Sequence, residues 1–80
     1  MLQIIWPDGH VDTGPTWEAV FDQIRRAQWY VECERVFRET LSDRALVWSK
    51  GRMEIDPDLP LPDLFRALEK AGMLTIVSEA

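Results

Sequence analysis

Eighty residues with a net charge of −5 leave room for one domain, 1–80, and speak against a ligand gripped through its phosphates, which needs clustered Lys and Arg. At 46% apolar residues, with four tryptophans, the chain is too apolar for a disordered tail; its one cysteine cannot staple it, which excludes a disulfide-built secreted miniprotein and points to an intracellular protein. A chain of this size buries only about 60–65% of its extended surface, so the core is thin, and a homodimer interface would supplement it.

The first element predicted is a strand over Leu2–Trp6, β-branched at Ile4 and Ile5 and stopped by Pro7. Its apolar run is short and has no basic segment before it, so it does not read as a signal peptide. "PDG" is a turn signal: Pro sets φ, Asp bonds its own backbone, and Gly accepts positive φ. "HVDT" then forms a brief return strand, which makes the opening a small hairpin. In a strand, alternation puts Asp8, His10 and Asp12 on one face, expected to be the solvent face.

Thr16 is a good N-cap, with Glu18 placed for the first turn of a helix. Trp17, Val20, Phe21, Ile24, Ala27 and Gln28 follow at helical spacing, with Glu18, Asp22, Arg25 and Arg26 off the apolar stripe. "QWYVE" crowds aromatic and β-branched residues together and predicts a bend near Trp29–Glu32. In a second helix, Cys33, Val36, Phe37, Leu41, Ala45 and Trp48 keep the same spacing, and Gly51 is its natural stop. Arg35, Arg38, Glu39, Ser42 and Asp43 take its outer face.

Pro57, Pro60 and Pro62 keep "RMEIDPDLPLP" out of a helix. Met53 and Ile55 are expected to pair briefly as strand, and the rest is an extended connector. Pro62 suits the first turn of a third helix, whose stripe is Leu64, Phe65, Leu68 and Ala71. Gly72 ends it, with Met73 or Leu74 making the apolar contact of such a cap. "LTIV" closes the chain as a strand able to pair with the first. The fold class expected is therefore α+β: three helices on a small, mostly antiparallel sheet built from the N-terminal hairpin and the C-terminal strand.

Little in this framework is suited to chemistry. His10 reads as a surface turn histidine, and a single histidine excludes a multi-His zinc site. Cys33 falls on an apolar stripe and reads as a packed core thiol. Asp56-Pro57-Asp58 opens like a calcium loop, but no Gly at the sixth place and no Glu at the twelfth complete it. "PDLPLP" has the P-x-x-P spacing of polyproline ligands, though a connector explains it equally. No catalytic residue, cofactor or metal is expected.

Arg25, Arg26, Arg35, Arg38 and Arg44 are interleaved with acids, the pattern of ordinary surface ion pairs. Trp6, Trp17 and Trp48 fit core stripes. Trp29 and Tyr30 belong to neither helical stripe. Packed under the hairpin they would be core; exposed beside Arg25 and Arg26 they would form a contact hot spot.

Three stretches together, "WPDGHVDTGPTW", "DRALVWSKG" and "LFRALEKAGMLTIV", resemble small uncharacterised early-region proteins of actinobacteriophages (mycobacteriophage-like). In that group a short N-terminal hairpin, an R-A-x-x-W-S-G-like helix end and a terminal L-x-x-A-L-x-x-A-G-L segment recur. Here Lys50 separates Ser49 from Gly51. The resemblance implies a phage-encoded protein in the cytoplasm of the infected bacterium, redirecting host processes by binding a host protein, and it brings no catalytic residues with it. The expected function is thus a non-enzymatic protein–protein interaction, also as a homodimer, with Trp29, Tyr30, Arg25 and Arg26 as the contact residues. The alternative is a small DNA-binding regulator: consecutive helices with five arginines favour it, and the charge of −5 opposes it.

Overall fold

Leu2–Ile5 (β1) and Val11–Gly14 (β2) form the hairpin in a computed structural model that describes residues 1–78. The Pro7-Asp8-Gly9 corner is closed by backbone bonds from Gly9 N to Trp6 O and from Trp6 N to His10 O, both 2.9 Å. Asp8 accepts from His10 N at 2.9 Å, and Gly9 takes φ 90°, a conformation that L side chains rarely adopt. Thr75–Ser78 (β3) pairs antiparallel on the other side of β1, giving the order β2-β1-β3. The sheet thus uses both ends of the described chain.

Three helices fill the interval: Trp17–Arg26 (α1), Glu34–Trp48 (α2) and Leu61–Lys70 (α3). Thr16 caps α1, its hydroxyl accepting from Ala19 N at 3.1 Å. Gly14 lets α1 start against β2, since a Cβ there would lie 2.9 Å from Val20 Cγ2. Pro62 lies in the first turn of α3, and Gly72 follows its cap residue Ala71. The Met73 N–H then returns to Leu68 O at 3.2 Å, and the Met73 side chain is buried.

Register assigns the faces of the sheet. Leu2, Ile4, Asp12, Gly14 and Ile76 point to the helices, and all but Ile76 are buried. Against them lie Val20, Phe21 and Ile24 of α1, Phe37, Leu41 and Ala45 of α2, and Leu61, Leu64, Phe65 and Leu68 of α3. Phe21 is the hinge of this core. Its ring meets Phe37 at 5.6 Å and Phe65 at 6.4 Å, both edge-on, while Trp17 meets Phe65 at 5.5 Å.

Four expectations need correction. Met53 and Ile55 form no strand: Ile55 is buried, but its carbonyl accepts from the Ser42 hydroxyl instead of a neighbouring strand. Cys33 is not core. It is the extended N-cap residue of α2, outside the helical period, and it is exposed. Val36 and Trp48 are also exposed. Val36 is turned off the Phe37–Leu41–Ala45 line. Trp48 continues that line, but α2 has left the core by its last turn. The outer face of α2 is likewise less solvated than its residue types suggest. Arg38 bends over to donate to Pro57 O at 3.1 Å and Leu59 O at 2.7 Å, which ties the connector to the helix.

A candidate binding groove at the hairpin end

Alternation does place His10 and Asp12 on the same face, but it is the helix face, not the solvent face. The inward row of the sheet runs on past Ile4 to Trp6, and Asp12 stands beside it at only 3% exposure. The carboxylate is fully engaged. Trp6 Nε1 donates to its Oδ2 at 2.7 Å, and Gln23 Nε2 donates to its Oδ1 at 3.3 Å. His10 Nε2 lies 3.4 Å from the same oxygen. A buried carboxylate is stable only with such partners. The signal for it was present in the sequence: a half-buried Trp6 needs an acceptor for its indole N–H, and the hairpin register brings Asp12 to its side.

This end of the sheet faces the C-terminal ends of α1 and α2. The space between is a groove of about 490 Å³, lined by Trp6, His10, Asp12, Ile24, Arg44 and Trp48 among others. A second depression of about 540 Å³, with Thr40, Val47 and Met73 in its wall, shares Trp6, Pro7, Arg44 and Trp48 with the first. The two are halves of one trough divided by Trp6 and Trp48. Trp48 keeps 55% of its surface exposed and Val47 79%. Two polar groups around the trough have partners: the Thr40 hydroxyl proton is shared between Glu32 Oε1 and Val36 O, and Arg44 reaches Gln28 Oε1 at 3.4 Å, while Asp43 has no hydrogen bond or ion pair among the described residues. What the trough offers a ligand is apolar and aromatic surface with a polar rim.

The bend between α1 and α2 begins at the edge of the trough, where Gln28 lines it and precedes Trp29 in the chain. Trp29 is fully exposed, and Tyr30 and Val31 are exposed beside it. They are not packed under the hairpin. Their exposure is built in, because the bend is pinned from behind: Arg25 donates to Glu32 O at 2.8 Å, Thr40 to Glu32 Oε1 at 2.9 Å, and Gln28 to Ile24 O at 3.0 Å.

The four contact residues expected from sequence therefore divide. Trp29, Tyr30 and Arg26 lie at the surface. Arg25 does not: its side chain is mostly covered, holding Glu32 O and Asp22 Oδ1, the latter at 2.6 Å. Asp22 also pairs with Arg26 at 2.8 Å. The Arg25 hydrogen bond, followed by the charges of Arg26 and Arg25, holds the Asp22 carboxyl below the usual aspartate value. Sequence reasoning missed Val47, Met73 and the groove side of Trp48, because only the register of hairpin against helix brings them together.

Among the described residues, no three His, Cys, Asp or Glu side chains gather as a metal site, and Cys33 does not line the trough. Nor is any helix among them long and apolar enough to cross a membrane. No protein-family model matches the sequence, and comparison with curated proteins and with solved structures gives no significant match.

Proposed function

We propose that this protein is a non-enzymatic interaction module that binds a protein partner along the strip running from Trp29 and Tyr30 to Val47 and Trp48. The observation that carries the reading is the full exposure of Trp29 on a bend pinned by three side-chain hydrogen bonds. A large aromatic with only two side-chain torsions, presented on a tied backbone, gains much apolar burial on binding for the entropy it loses, which is the profile of an interface anchor. If the chain is of the actinobacteriophage type it resembles, the partner is a host protein and the setting is the bacterial cytoplasm.

A nucleic-acid partner fits less well. Arg25, Arg26, Arg35 and Arg38 are each within ion-pair distance of a carboxylate, so phosphates would have to displace acids that are already in place. A gel shift at about 50 mM salt, where phosphate contacts are strongest, separates the two readings.

The decisive experiment compares partners captured from host lysate by the wild-type chain and by a folded Trp29→Ala, Trp48→Ala variant, followed by affinity measurement on the purified partner. Each substitution is expected to weaken binding by about 10- to 30-fold, the size of an anchor residue. Unchanged affinity in a variant with a native circular dichroism spectrum would remove this strip as the binding surface.

A further inference from the structure

The two edges of the sheet are finished differently. Trp6 N–H donates to His10 O, so that cross-strand pair is hydrogen-bonded, and alternation along the antiparallel ladder makes Ile4 with Asp12 and Leu2 with Gly14 hydrogen-bonded pairs as well. Val11 and Thr13 lie at the positions between, so their N–H and C=O groups point away from β1. The other side of β1 agrees: Ile76 N–H turns away from it, which leaves the backbone groups of Ile4 for β2. At the β3 edge, Glu69 Oε2 takes that Ile76 N–H at 2.7 Å and closes the edge to a further strand. At the β2 edge, the outward groups of Val11 and Thr13 have no partner among the described residues. The open stretch ends on one side at the hairpin turn, where Gly9 N–H is taken by Trp6 O, and on the other at Pro15, which has no N–H.

From this we infer that the β2 edge is a strand-addition site, and that its occupant is an extended segment of a partner protein in which β-branched residues flank a basic one. An antiparallel segment of three residues exchanges two hydrogen bonds with Val11 and two with Thr13, and so meets every free group of the edge. Its first and third side chains fall beside Val11 and Thr13, on the face turned away from the helices, where both neighbours are uncharged and β-branched. Its middle residue stands opposite Asp12, on the helix-facing side. Asp12 is the one buried charged residue among the described residues; besides His10 Nε2 at 3.4 Å, its donors are the neutral indole of Trp6 and amide of Gln23. A lysine or arginine at the middle position brings the opposite charge to that carboxylate, whereas an acidic residue sets like charges across the strands.

The same carboxylate turns away a second copy. Two-fold pairing of β2 with β2 that matches the free groups puts Val11 of one copy opposite Thr13 of the other, and Asp12 opposite itself with the Cα atoms about 4.5 Å apart. Centring the pair on Val11 or Thr13 instead brings the turn residue Gly9 or Pro15 into the ladder, and neither has an N–H to give. The edge is thus open to a different chain and guarded against its own. None of its bonds involves Trp29 or Trp48, so the site stands whether or not the trough takes a partner.

The test uses the acetylated and amidated pentapeptide Thr-Val-Lys-Val-Thr, added to the protein up to about 10 mM while amide chemical shifts are followed. So short a strand is expected to bind with a dissociation constant on the order of 1 mM, with shifts centred on Val11, Asp12 and Thr13. Glutamate in place of the lysine should weaken binding about 5-fold. N-methylation of both valines, whose N–H groups face the edge, should abolish binding; N-methylation of the lysine, whose N–H faces solvent, should not. Thr13→Pro removes an outward donor without touching the ladder to β1 and should weaken binding at least about 10-fold in a folded chain. Should that variant unfold, the methylated peptides decide the matter on the wild-type protein. The Trp29→Ala, Trp48→Ala variant should bind the peptide like wild type, so failure of the trough as a partner site and failure of this edge remain separable. Absence of shifts at Val11 and Thr13, equal affinity for the lysine and glutamate peptides, tolerance of the methylated valines, or shifts centred on Val47 and Trp48 would overturn the inference. So would dilution shifts at Val11 and Thr13 without peptide, which would place a second copy on the edge.

Discussion

Helices α2 and α3 are built from similar residues and put to different uses. Every leucine and the phenylalanine of α3 are buried, and ten residues suffice to place four large side chains in the core. In α2, fifteen residues bury only Phe37, Leu41 and Ala45, while Val36, Leu46, Val47 and Trp48 stay exposed. A helix needs only one apolar stripe to join a core. The extra apolar residues of α2 lie where folding does not require them, and two of them, Val47 and Trp48, border the trough. The difference separates side chains that hold the molecule together from those available to something else.

The sharpest way to break that distinction is to truncate one side chain from each helix. Phe65→Ala should cost about 3–5 kcal/mol, since the ring is fully buried against Trp17 and Phe21 and the cavity cannot refill from solvent. In a domain this small that is most of the stability, so the variant is expected to be largely unfolded at room temperature. Val47→Ala, at a position 79% exposed, should change stability by no more than about 0.5 kcal/mol. Urea denaturation followed by tryptophan fluorescence measures both. Comparable losses at the two positions would mean that the C-terminal half of α2 is structural and that the trough is incidental.

An intermediate effect is expected at Asp12, which belongs to both regions. It is buried on the helix-facing side of β2 and also shapes the trough through Trp6. Asp12→Ala leaves the indole N–H of Trp6 and the amide of Gln23 without their acceptor, at a cost of about 1–3 kcal/mol. The Trp6 ring loses its anchor as well, so its near-ultraviolet circular dichroism band should weaken. Asp12→Asn keeps an acceptor oxygen and should retain much of the band. If the alanine variant matches wild type in both stability and spectrum, the carboxylate is not what sets the trough.

The same contrast explains what was legible in the sequence. The helix periods of α1 and α3, the Thr16 cap, the "PDG" corner and the pairing of the last strand with the first all depend on local chemistry or on one sheet register, and all are seen. The stripe of α2 reads equally well from Cys33 to Trp48, yet only its middle is buried. Periodicity reports which side of a helix is apolar, not how far the rest of the protein extends along it. Asp12 shows the corresponding limit for a strand: alternation groups His10 with Asp12 correctly, but which face the helices cover is a tertiary fact. Trp29 and Tyr30 were ambiguous for a similar reason, since the bonds from Arg25 and Thr40 that flank the bend join side chains of α1 and α2 to Glu32, and the spacing of apolar residues carries no signal for them.

The smallest expected effect bears on how α2 begins. Thr16 gives α1 a side-chain acceptor for an orphan N–H; Cys33 occupies the corresponding place on α2 in extended conformation and makes no such bond. A thiol is a poor acceptor, so the first turn of α2 relies on Glu34 near its positive end and on tertiary contact. Cys33→Ser supplies a hydroxyl in nearly the same volume, at a position already exposed and already suited to a cap. It should stabilise the protein by about 0.5–1 kcal/mol, read as a higher urea midpoint at unchanged slope. The partner-binding strip should be unaffected, because Cys33 lines neither half of the trough. A loss of stability would show that the thiol is packed against something its exposure does not reveal, and that the two helices differ less at their starts than their capping residues imply.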